Sequence, residues 1–224
     1  MTVTTGGNPA EVAVNPVTDK IYVVNFNLSA VNVIDGATNA VTTVGPGSAP
    51  RALAVNPVTN KIYVSGVGGT PGGTVTVIDG ATNAPTTVDA GSVPVDVAVS
   101  PVTNRIYVAN EGSDDVTVIA GASDTTATVG AGDLPTAVAV NPATDKIYVV
   151  NRNSHDLTVI DGPTHATTTV GVGTSPIDLA VDPVADEVYV VNQGSDDVTV
   201  IDGPTDATTN VAAGPSPRAM AVNP

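Results

Sequence analysis

Short apolar runs alternate with polar turns along the whole chain, and each run has the length of a strand. A representative stretch contains four such runs, which we predict to be strands: Thr136–Asn141, Lys146–Asn151, Asp156–Ile160 and Ala166–Val170. The runs are rich in β-branched residues, which favour strands. Pro142 ends the first run because proline has no N–H for a β-ladder, and Asp161 with Gly162 forms a typical hairpin turn. No segment shows a helical apolar period over the length of a helix. The pattern therefore predicts an all-β protein.

This pattern repeats at a nearly constant interval. The intervals between successive tyrosines are 41, 44, 41 and 41 residues, at Tyr22, Tyr63, Tyr107, Tyr148 and Tyr189. A lengthened loop over 66–73 accounts for the longer interval. Four strands in a unit of about 41 residues are typical of a β-propeller blade. We therefore predict a β-propeller of five four-stranded blades, at approximately 10–47, 51–91, 95–132, 136–173 and 177–214.

Each predicted first strand has alanine at the same position. The set comprises Ala13, Ala54, Ala98, Ala139, Ala180 and Ala221. The first strands of neighbouring blades converge at the centre of a propeller, so a small side chain permits their close approach. The alanines therefore agree with a propeller whose first strands lie innermost.

The two ends of the chain carry the same piece of the repeat. Met1–Pro16 and Thr209–Pro224 each contain a fourth strand followed by a first strand, whereas a closed ring of five blades needs one copy. Three hypotheses account for this duplication. The ring closes and leaves a spare strand within 1–9 or 215–224, or the chain is a segment of a larger propeller. Alternatively, the spare strands pair with another molecule, because unpaired strand edges are templates for pairing. Head-to-tail contacts that do not close then build a filament.

Charge and composition exclude several functions. Seven Lys and Arg against 22 Asp and Glu give a net charge of −15, which disfavours nucleic acids and anionic membranes. The chain has no cysteine, so disulfides and thiol catalysis are excluded. No apolar run reaches the length needed to span a bilayer, and we expect no signal peptide in Met1–Pro9.

Several segments resemble the YVTN family of β-propeller repeats. They are Tyr22-Val-Val-Asn, Tyr148-Val-Val-Asn and Tyr189-Val-Val-Asn, together with the recurring Ala-Val-Asn-Pro and Val-Ile-Asp-Gly elements. Tyr107-Val-Ala-Asn is close to the motif, whereas Tyr63-Val-Ser-Gly loses the asparagine. The resemblance covers essentially the whole chain. It implies a propeller fold and a secreted or surface-layer protein, and it extends to propeller lyases and lactonases.

One face of the predicted propeller collects the polar loops between second and third strands and the connections between blades. We predict that this face binds partners, with Arg51, Asp96, Glu111, Asp114, Asp133, Arg152, His155, Asp178 and Arg218 as the candidate residues. The near-identical loops 110–115 and 192–197 are candidates for contact with calcium or a glycan. The alternative is that they are tight hairpin loops whose glycine supplies a positive φ. The turns on the opposite face recur almost unchanged and indicate turn chemistry.

Three carboxylates occupy equivalent places at the start of alternate first strands. Glu11, Asp96 and Asp178 alternate with Ala52, Ala137 and Ala219 in the other units. At the entrance of a central channel they are candidate ligands for Ca²⁺, together with carbonyls and water. The alternative is that they are solvated strand starts, since no EF-hand pattern is present.

His155 is the one histidine on the polar face and the candidate general base of an enzyme. The resemblance supports this hypothesis, because virginiamycin-B-lyase-like propellers use a histidine with a metal. Asp156 is adjacent in sequence, but neighbouring strand residues point to opposite faces, which argues against a His155–Asp156 pair. His165 replaces a turn residue and is assigned no role.

We expect from these features a non-catalytic interaction or structural module, outside the cell or at its surface. Its expected partner is a protein or a glycan. One alternative is a protein that polymerises by exchange of its terminal strands. The other is a metal-dependent lyase or hydrolase that acts from the polar face.

Overall fold

The computed structural model describes residues 2–45, 47, 49–68 and 72–223. These residues form 20 strands and no helix, arranged as five four-stranded antiparallel sheets. The predicted all-β architecture of five four-stranded blades is confirmed. No helix long and apolar enough to cross a membrane is found in the described part of the chain.

The sheets follow one another along the chain, and each is called a blade here. Blade 1 contains β1 (Pro9–Asn15), β2 (Lys20–Asn25), β3 (Ala30–Asp35) and β4 (Val41–Val44). Blade 2 contains β5 (Pro50–Asn56), β6 (Lys61–Gly66), β7 (Gly73–Asp79) and β8 (Pro85–Ala90). Blade 3 contains β9 (Pro94–Ser100), β10 (Arg105–Asn110), β11 (Asp115–Ala120) and β12 (Thr125–Gly130). Blade 4 contains β13 (Pro135–Asn141), β14 (Lys146–Asn151), β15 (Asp156–Asp161) and β16 (Thr167–Gly171). Blade 5 contains β17 (Pro176–Asp182), β18 (Glu187–Asn192), β19 (Asp197–Asp202) and β20 (Thr208–Ala212).

The first strand of each blade lies at the inner side, as the alanine pattern predicts. Consecutive first strands pack against each other from β1 through β5, β9 and β13 to β17. In every blade the inner-strand alanine lies opposite the tyrosine of the second strand, as in the pair Ala139 and Tyr148. A small residue is thus paired with a bulky one at the same height of each blade.

The core consists of four apolar clusters, one between each pair of consecutive blades. Four tyrosines are fully buried in these clusters, namely Tyr22, Tyr63, Tyr107 and Tyr148. Burial of one large apolar side chain stabilises a fold by about 1.5–3 kcal/mol. Stability therefore depends on each blade having a neighbour.

The five blades form an arc whose two ends do not pack together. Among the described strands, β17 and β1 lack the extensive packing that joins the other consecutive first strands. Val12 and Val14 of β1 are 60% and 55% exposed, and Val211 of β20 is 51% exposed. The residues equivalent to Val211 in the other blades are only 6–8% exposed: Val44, Val88, Val129 and Val170. Each end of the arc thus presents half of an inter-blade interface.

Each duplicated terminal segment forms one of the two strands expected in it. β1 is the expected first strand at the N-terminal end, and β20 is the expected fourth strand at the C-terminal end. Residues 2–8 and 213–223 contain no strand. Of the positions considered above, Met1, Pro224 and the middle of the lengthened loop, 69–71, lie outside the described residues.

Candidate functional site

The polar loops and the connections between blades meet on one face, where backbone hydrogen bonds join them. In blade 4 the N–H of Arg152 donates to the carbonyl of Leu134, and the N–H of Asn153 donates to the carbonyl of Asp133. The hydroxyl of Ser154 accepts from the N–H of Asp133 at 3.1 Å. Equivalent serine contacts occur at Ser113 and Ser195. The face is therefore built from tight, mutually bonded turns.

His155 holds one of these turns together. Its backbone is left-handed, with φ of 57°, and its Nδ1 accepts the N–H of Ser175 at 3.1 Å. Asp114 and Asp196 stand at the equivalent positions, and their carboxylates accept the N–H groups of Leu134 and Ser216. The imidazole thus takes the place of a carboxylate in a repeated loop contact. Its Nδ1 is engaged in this contact, which leaves Nε2 as the nitrogen open to other groups.

Asp156 is bonded to residues other than His155. Its Oδ1 accepts from the Nδ2 of Asn151 at 2.7 Å and from the hydroxyl of Ser154 at 3.1 Å. Asn151 is fully buried and also donates to Thr158 at 2.8 Å. The side chains of His155 and Asp156 therefore have different partners. This agrees with the alternation of strand side chains, which argues against a His155–Asp156 pair.

The asparagine that ends the second strand is a structural residue that sequence reasoning treated only as part of a motif. Asn110 and Asn192 make the same pair of bonds as Asn151, to an aspartate five residues on and a threonine seven residues on. Blade 2 has Gly66 at this position. An alignment of the units contains this signal, because the three residues recur at the same spacing in blades 3, 4 and 5.

The three inner-strand carboxylates link neighbouring blades. Glu11 accepts the N–H of Leu53 at 2.7 Å through Oε2. The Oδ2 of Asp96 accepts the N–H of Val138 at 2.7 Å, and its Oδ1 accepts the N–H of Val97, the next residue in the chain, at 2.8 Å. The third carboxylate, that of Asp178, makes the same contact at the end of the arc. The alternation of acidic residues with alanine along the blades therefore corresponds to one carboxylate for every second inter-blade contact.

Asp178 binds the C-terminal segment in the same way. Its Oδ2 accepts the N–H of Met220 at 3.0 Å, and its Oδ1 accepts the N–H of Leu179 at 2.9 Å. Segment 216–223 therefore begins along the path that the first strand of a following blade would take.

Burial changes the acidity of two of these carboxylates. It raises the pKa of Glu11 to about 7, although the bond from Leu53 opposes this shift and the charge of Asp96 adds to it. Burial likewise raises the pKa of Asp96 to about 6, against the bonds from Val138 and Val97. Both groups thus exchange protons close to neutral pH.

The Ca²⁺ ligands predicted at Glu11, Asp96 and Asp178 stay a prediction. Among the described residues, no group of three or more His, Cys, Asp or Glu side chains is arranged to hold a metal. Glu11 and Asp96 each accept a backbone N–H from the first strand of the following blade, and Asp178 accepts one from the C-terminal segment. The structure gives them a role in joining blades.

The other candidate binding residues are spread over the polar face. The Arg51 guanidinium and the Glu111 carboxylate are 3.6 Å apart and connect blades 2 and 3. Exposed ion pairs of this kind contribute about 0–1 kcal/mol. Asp133, Arg152 and Arg218 are exposed. The structure thus brings one pair of the predicted residues together and leaves these three on the surface.

The opposite face is held by basic residues at the start of the second strands. Lys61 donates to the carbonyl of Gly121 at 3.0 Å, and Lys146 donates to that of Gly203 at 2.5 Å. Each Nζ also lies within 4 Å of a carboxylate, at 3.8 Å from Asp124 and 3.9 Å from Asp206. Two equivalent cavities, of about 300 and 200 Å³, lie beside these contacts.

Solved structures with the same fold differ widely in sequence. One is a functionally unknown protein from Desulfotomaculum acetoxidans DSM 771, with 15% identity, coverage of 93% of this chain and 70% of that chain, and a TM-score of 0.77. Another is a nidogen/laminin complex, with 11% identity, coverage of 95% and 84%, and a TM-score of 0.73. A third is the dihydro-heme d1 dehydrogenase NirN in complex with DHE, with 17% identity, coverage of 92% and 46%, and a TM-score of 0.72. At these identities the likeness concerns the fold alone.

A comparison with curated proteins gives no match. A comparison with family models gives a more specific result. The model described as "Lactonase, 7-bladed beta-propeller" matches residues 1–164. The match spans blades 1 to 3 and most of blade 4, whereas the structure contains five blades in place of seven. The chain therefore belongs to the seven-bladed β-propeller lactonase family.

Proposed function

We propose that the protein is a non-catalytic structural and interaction module that binds a further β-propeller blade at each end of its arc. The observation that carries this proposal is the pair of half-interfaces left open at the ends. Val12 and Val14 are exposed at one end, and Val211 is exposed at the other. The positions equivalent to Val12 and Val211 within the arc are buried against a neighbouring blade, and those equivalent to Val14 are partly buried.

The two open faces are complementary because they are the two halves of one repeated interface. Between blades 1 and 2, Tyr22 and Val44 of the first blade pack against Leu53 and Val55 of the second. Blade 5 presents Val211 where blade 1 has Val44, and β1 presents Val12 where β5 has Leu53. A blade with this repeat would bury apolar area at either end, which favours association by about 25 cal/mol for each Å² removed from water.

The proposal includes an extracellular or cell-surface location. The YVTN-like segments and the acidic surface support it, since repeats of that kind occur in secreted and surface-layer proteins. The nidogen/laminin complex among the similar folds is a protein–protein assembly by its description. It supports a protein as the partner of this propeller.

The experiment compares lysine substitutions at three exposed valines. Val12→Lys and Val211→Lys place a charge on an open blade face, whereas Val17→Lys places it in the turn after β1, where the valine is 72% exposed. We expect the unmodified chain and Val17→Lys to associate with rising concentration in light scattering after gel filtration. We expect each of the other two variants to remain closer to the 22.1 kDa mass of the monomer. An unmodified chain that stays monomeric at every concentration would contradict the proposal.

A lactone hydrolase is the second candidate function. The family match favours it, and the raised pKa values of Glu11 and Asp96 place two acid–base groups close to neutral pH. The test is hydrolysis of a panel of lactones, with and without added divalent cations. Turnover that disappears in Asp96→Asn but persists in Asp133→Asn would support the enzyme and overturn the non-catalytic assignment.

A further inference from the structure

Two cavities between blades have the same lining at different places in the arc. One, of about 300 Å³, lies between blades 2 and 3, and the other, of about 200 Å³, lies between blades 4 and 5. Six equivalent positions line both cavities. In the first cavity they are Lys61, Val77, Asp79, Ala84, Thr86 and Asp124. In the second they are Lys146, Val159, Asp161, Ala166, Thr168 and Asp206.

The floor of each cavity is apolar. Val77 and Val159 lie in the third strands of their blades and are only 3% and 4% exposed. The hydroxyl of Thr86 already donates to the carbonyl of Val77 at 3.4 Å, which leaves its methyl group for contact. A ligand therefore needs an apolar face to cover this floor, because burial of apolar surface favours binding.

The rim of each cavity carries hydrogen-bond donors. The Nζ of Lys61 donates to the carbonyl of Gly121 at 3.0 Å and keeps two further N–H donors. It lies 3.8 Å from the carboxylate of Asp124, which is longer than a hydrogen bond. The corresponding distance between Lys146 and Asp206 is 3.9 Å. A ligand hydroxyl beside such a pair can accept from the ammonium and donate to the carboxylate.

The second aspartate of each cavity adds an acceptor. The Oδ1 of Asp161 accepts the N–H and the hydroxyl of Thr164, and the Oδ1 of Asp79 accepts the same groups of Thr82. These bonds lower the pKa of both carboxyls, which therefore stay ionised at neutral pH. Both side chains are exposed, and within the described chain no hydrogen bond to either Oδ2 is found. Each Oδ2 is thus available to a donor of the ligand.

The charge and the size of the cavities restrict the ligand. Each cavity combines one ammonium with two carboxylates, so an anion meets two like charges and a cation meets the ammonium. A neutral molecule with hydroxyl groups avoids both repulsions, because each hydroxyl can donate and accept. Pockets for drug-sized ligands have volumes of about 300–1,000 Å³. Cavities of about 300 and 200 Å³ therefore fit a single small ring.

From these features we infer that each of the two cavities binds one residue of a neutral sugar. The C–H face of the ring covers the valine and the alanine, and the hydroxyls contact the lysine and the two aspartates. The inference goes beyond the proposed function and does not depend on association at the ends of the arc.

The other two junctions within the arc differ at these positions. Between blades 3 and 4, the lysine and the two aspartates are replaced by Arg105, Ala120 and His165. We expect no sugar site there. Between blades 1 and 2, Lys20 and Asp35 are kept, and Asn83 stands in place of the second aspartate. The substitution Asn83→Asp therefore completes the set of six positions at this junction.

The test follows the backbone amide signals of the isotopically labelled chain by NMR during titration with glucose, galactose, mannose and N-acetylglucosamine. We expect at least one of these sugars to shift the signals of 79–84 and 161–166 together, with dissociation constants on the order of 1 mM. The signals of 120–125 should stay unmoved. Absence of shifts at both cavities with every sugar, or equal shifts at 120–125, would overturn the inference. Tighter binding of the charged analogues glucosamine or glucuronate would overturn the assignment of a neutral ligand.

Substitutions test the role of the aspartates. Asp79→Asn and Asp161→Asn keep Oδ1 for the turn but replace Oδ2 by a donor, and each should weaken binding at its own cavity at least tenfold. Asp202→Asn is the matched control, because Asp202 makes the same turn bonds with Thr205. Binding as strong as in this control would overturn the role of the aspartates. Asn83→Asp should strengthen binding between blades 1 and 2 severalfold, and unchanged binding there would overturn the set of six positions.

Discussion

Asp96 connects blade 3 to blade 4 through both oxygens of its carboxylate. Oδ2 accepts the N–H of Val138 at 2.7 Å, and Oδ1 accepts the N–H of Val97 at 2.8 Å. In Asp96→Asn the side chain keeps its shape but has one acceptor oxygen, so its NH₂ group must face one of the two N–H donors. A buried donor left without an acceptor costs about 1–3 kcal/mol. In a domain of this size, that lowers Tm by about 2–12 °C.

The assay is differential scanning calorimetry above the raised pKa of Asp96, which is about 6. The control is Asp133→Asn, which removes the same charge from an exposed residue whose backbone, not its carboxylate, joins the loops. We expect the control to melt close to the unmodified protein and Asp96→Asn to melt below both. Coincident melting of all three proteins would refute the role of Asp96 as a link between blades.

The same group predicts a dependence of stability on pH. Burial raises the pKa of Asp96 from 3.8 to about 6, so between these values the folded protein binds a proton that the unfolded chain does not. Stability from this group therefore rises as the pH falls from above 6 towards 3.8, and Asp96→Asn lacks this contribution. The difference in unfolding free energy between the two proteins should grow on acidification. A difference that is constant across this range would contradict the assignment.

Two smaller predictions concern the polar face. His155→Ala loses the bond from the N–H of Ser175 to Nδ1 and should destabilise the folded protein by about 0.5–1.5 kcal/mol. His155→Asp should keep this stability, because aspartate makes the same contact in two other blades. Equal denaturant midpoints for the two variants would contradict this prediction. Gly132→Ala should destabilise markedly, because its Cβ would lie 2.5 Å from the hydroxyl of Ser154, whereas Gly130→Ala meets nothing within 4 Å. Thermal melts of this matched glycine pair test the packing, and similar melts would count against it.

The fold was predictable because its information is local and repeated. The tyrosine interval, the prolines after the first strands and the inner alanines each recur in every blade. The residues also have the same partners in every blade, as shown by the pairing of Ala139 with Tyr148. A pattern repeated five times specifies the blade even where single residues depart from it, as Gly66 does.

The roles of the candidate site residues were harder to predict, because they depend on contacts between blades. Nothing in the sequence near Asp96 shows that its partner is Val138, 42 positions away. His155 is a different case. A column of the aligned units contains Ser29, Asp114, His155 and Asp196, and these share a left-handed backbone. The prediction that glycine supplies the positive φ of loops 110–115 and 192–197 is therefore wrong, because Asp114 and Asp196 supply it. That column identifies a loop contact, whereas the histidine taken alone indicated catalysis.

The state of the chain ends was not predictable from the repeat. Blades of nearly identical sequence bury similar surfaces whether the ring closes, continues or binds another molecule. The structure shows that these five blades do not close on themselves, since Val12 and Val211 lie open while their equivalents are buried. It also shows that 216–223 begins as a first strand at Asp178 but remains unpaired.

The most direct test of the account is the solution mass of the unmodified chain beside the Val12→Lys and Val211→Lys variants. The account predicts that the unmodified chain associates with rising concentration and that each variant stays closer to 22.1 kDa. An unmodified chain that remains monomeric at every concentration would contradict the claim that the open blade faces bind a partner blade.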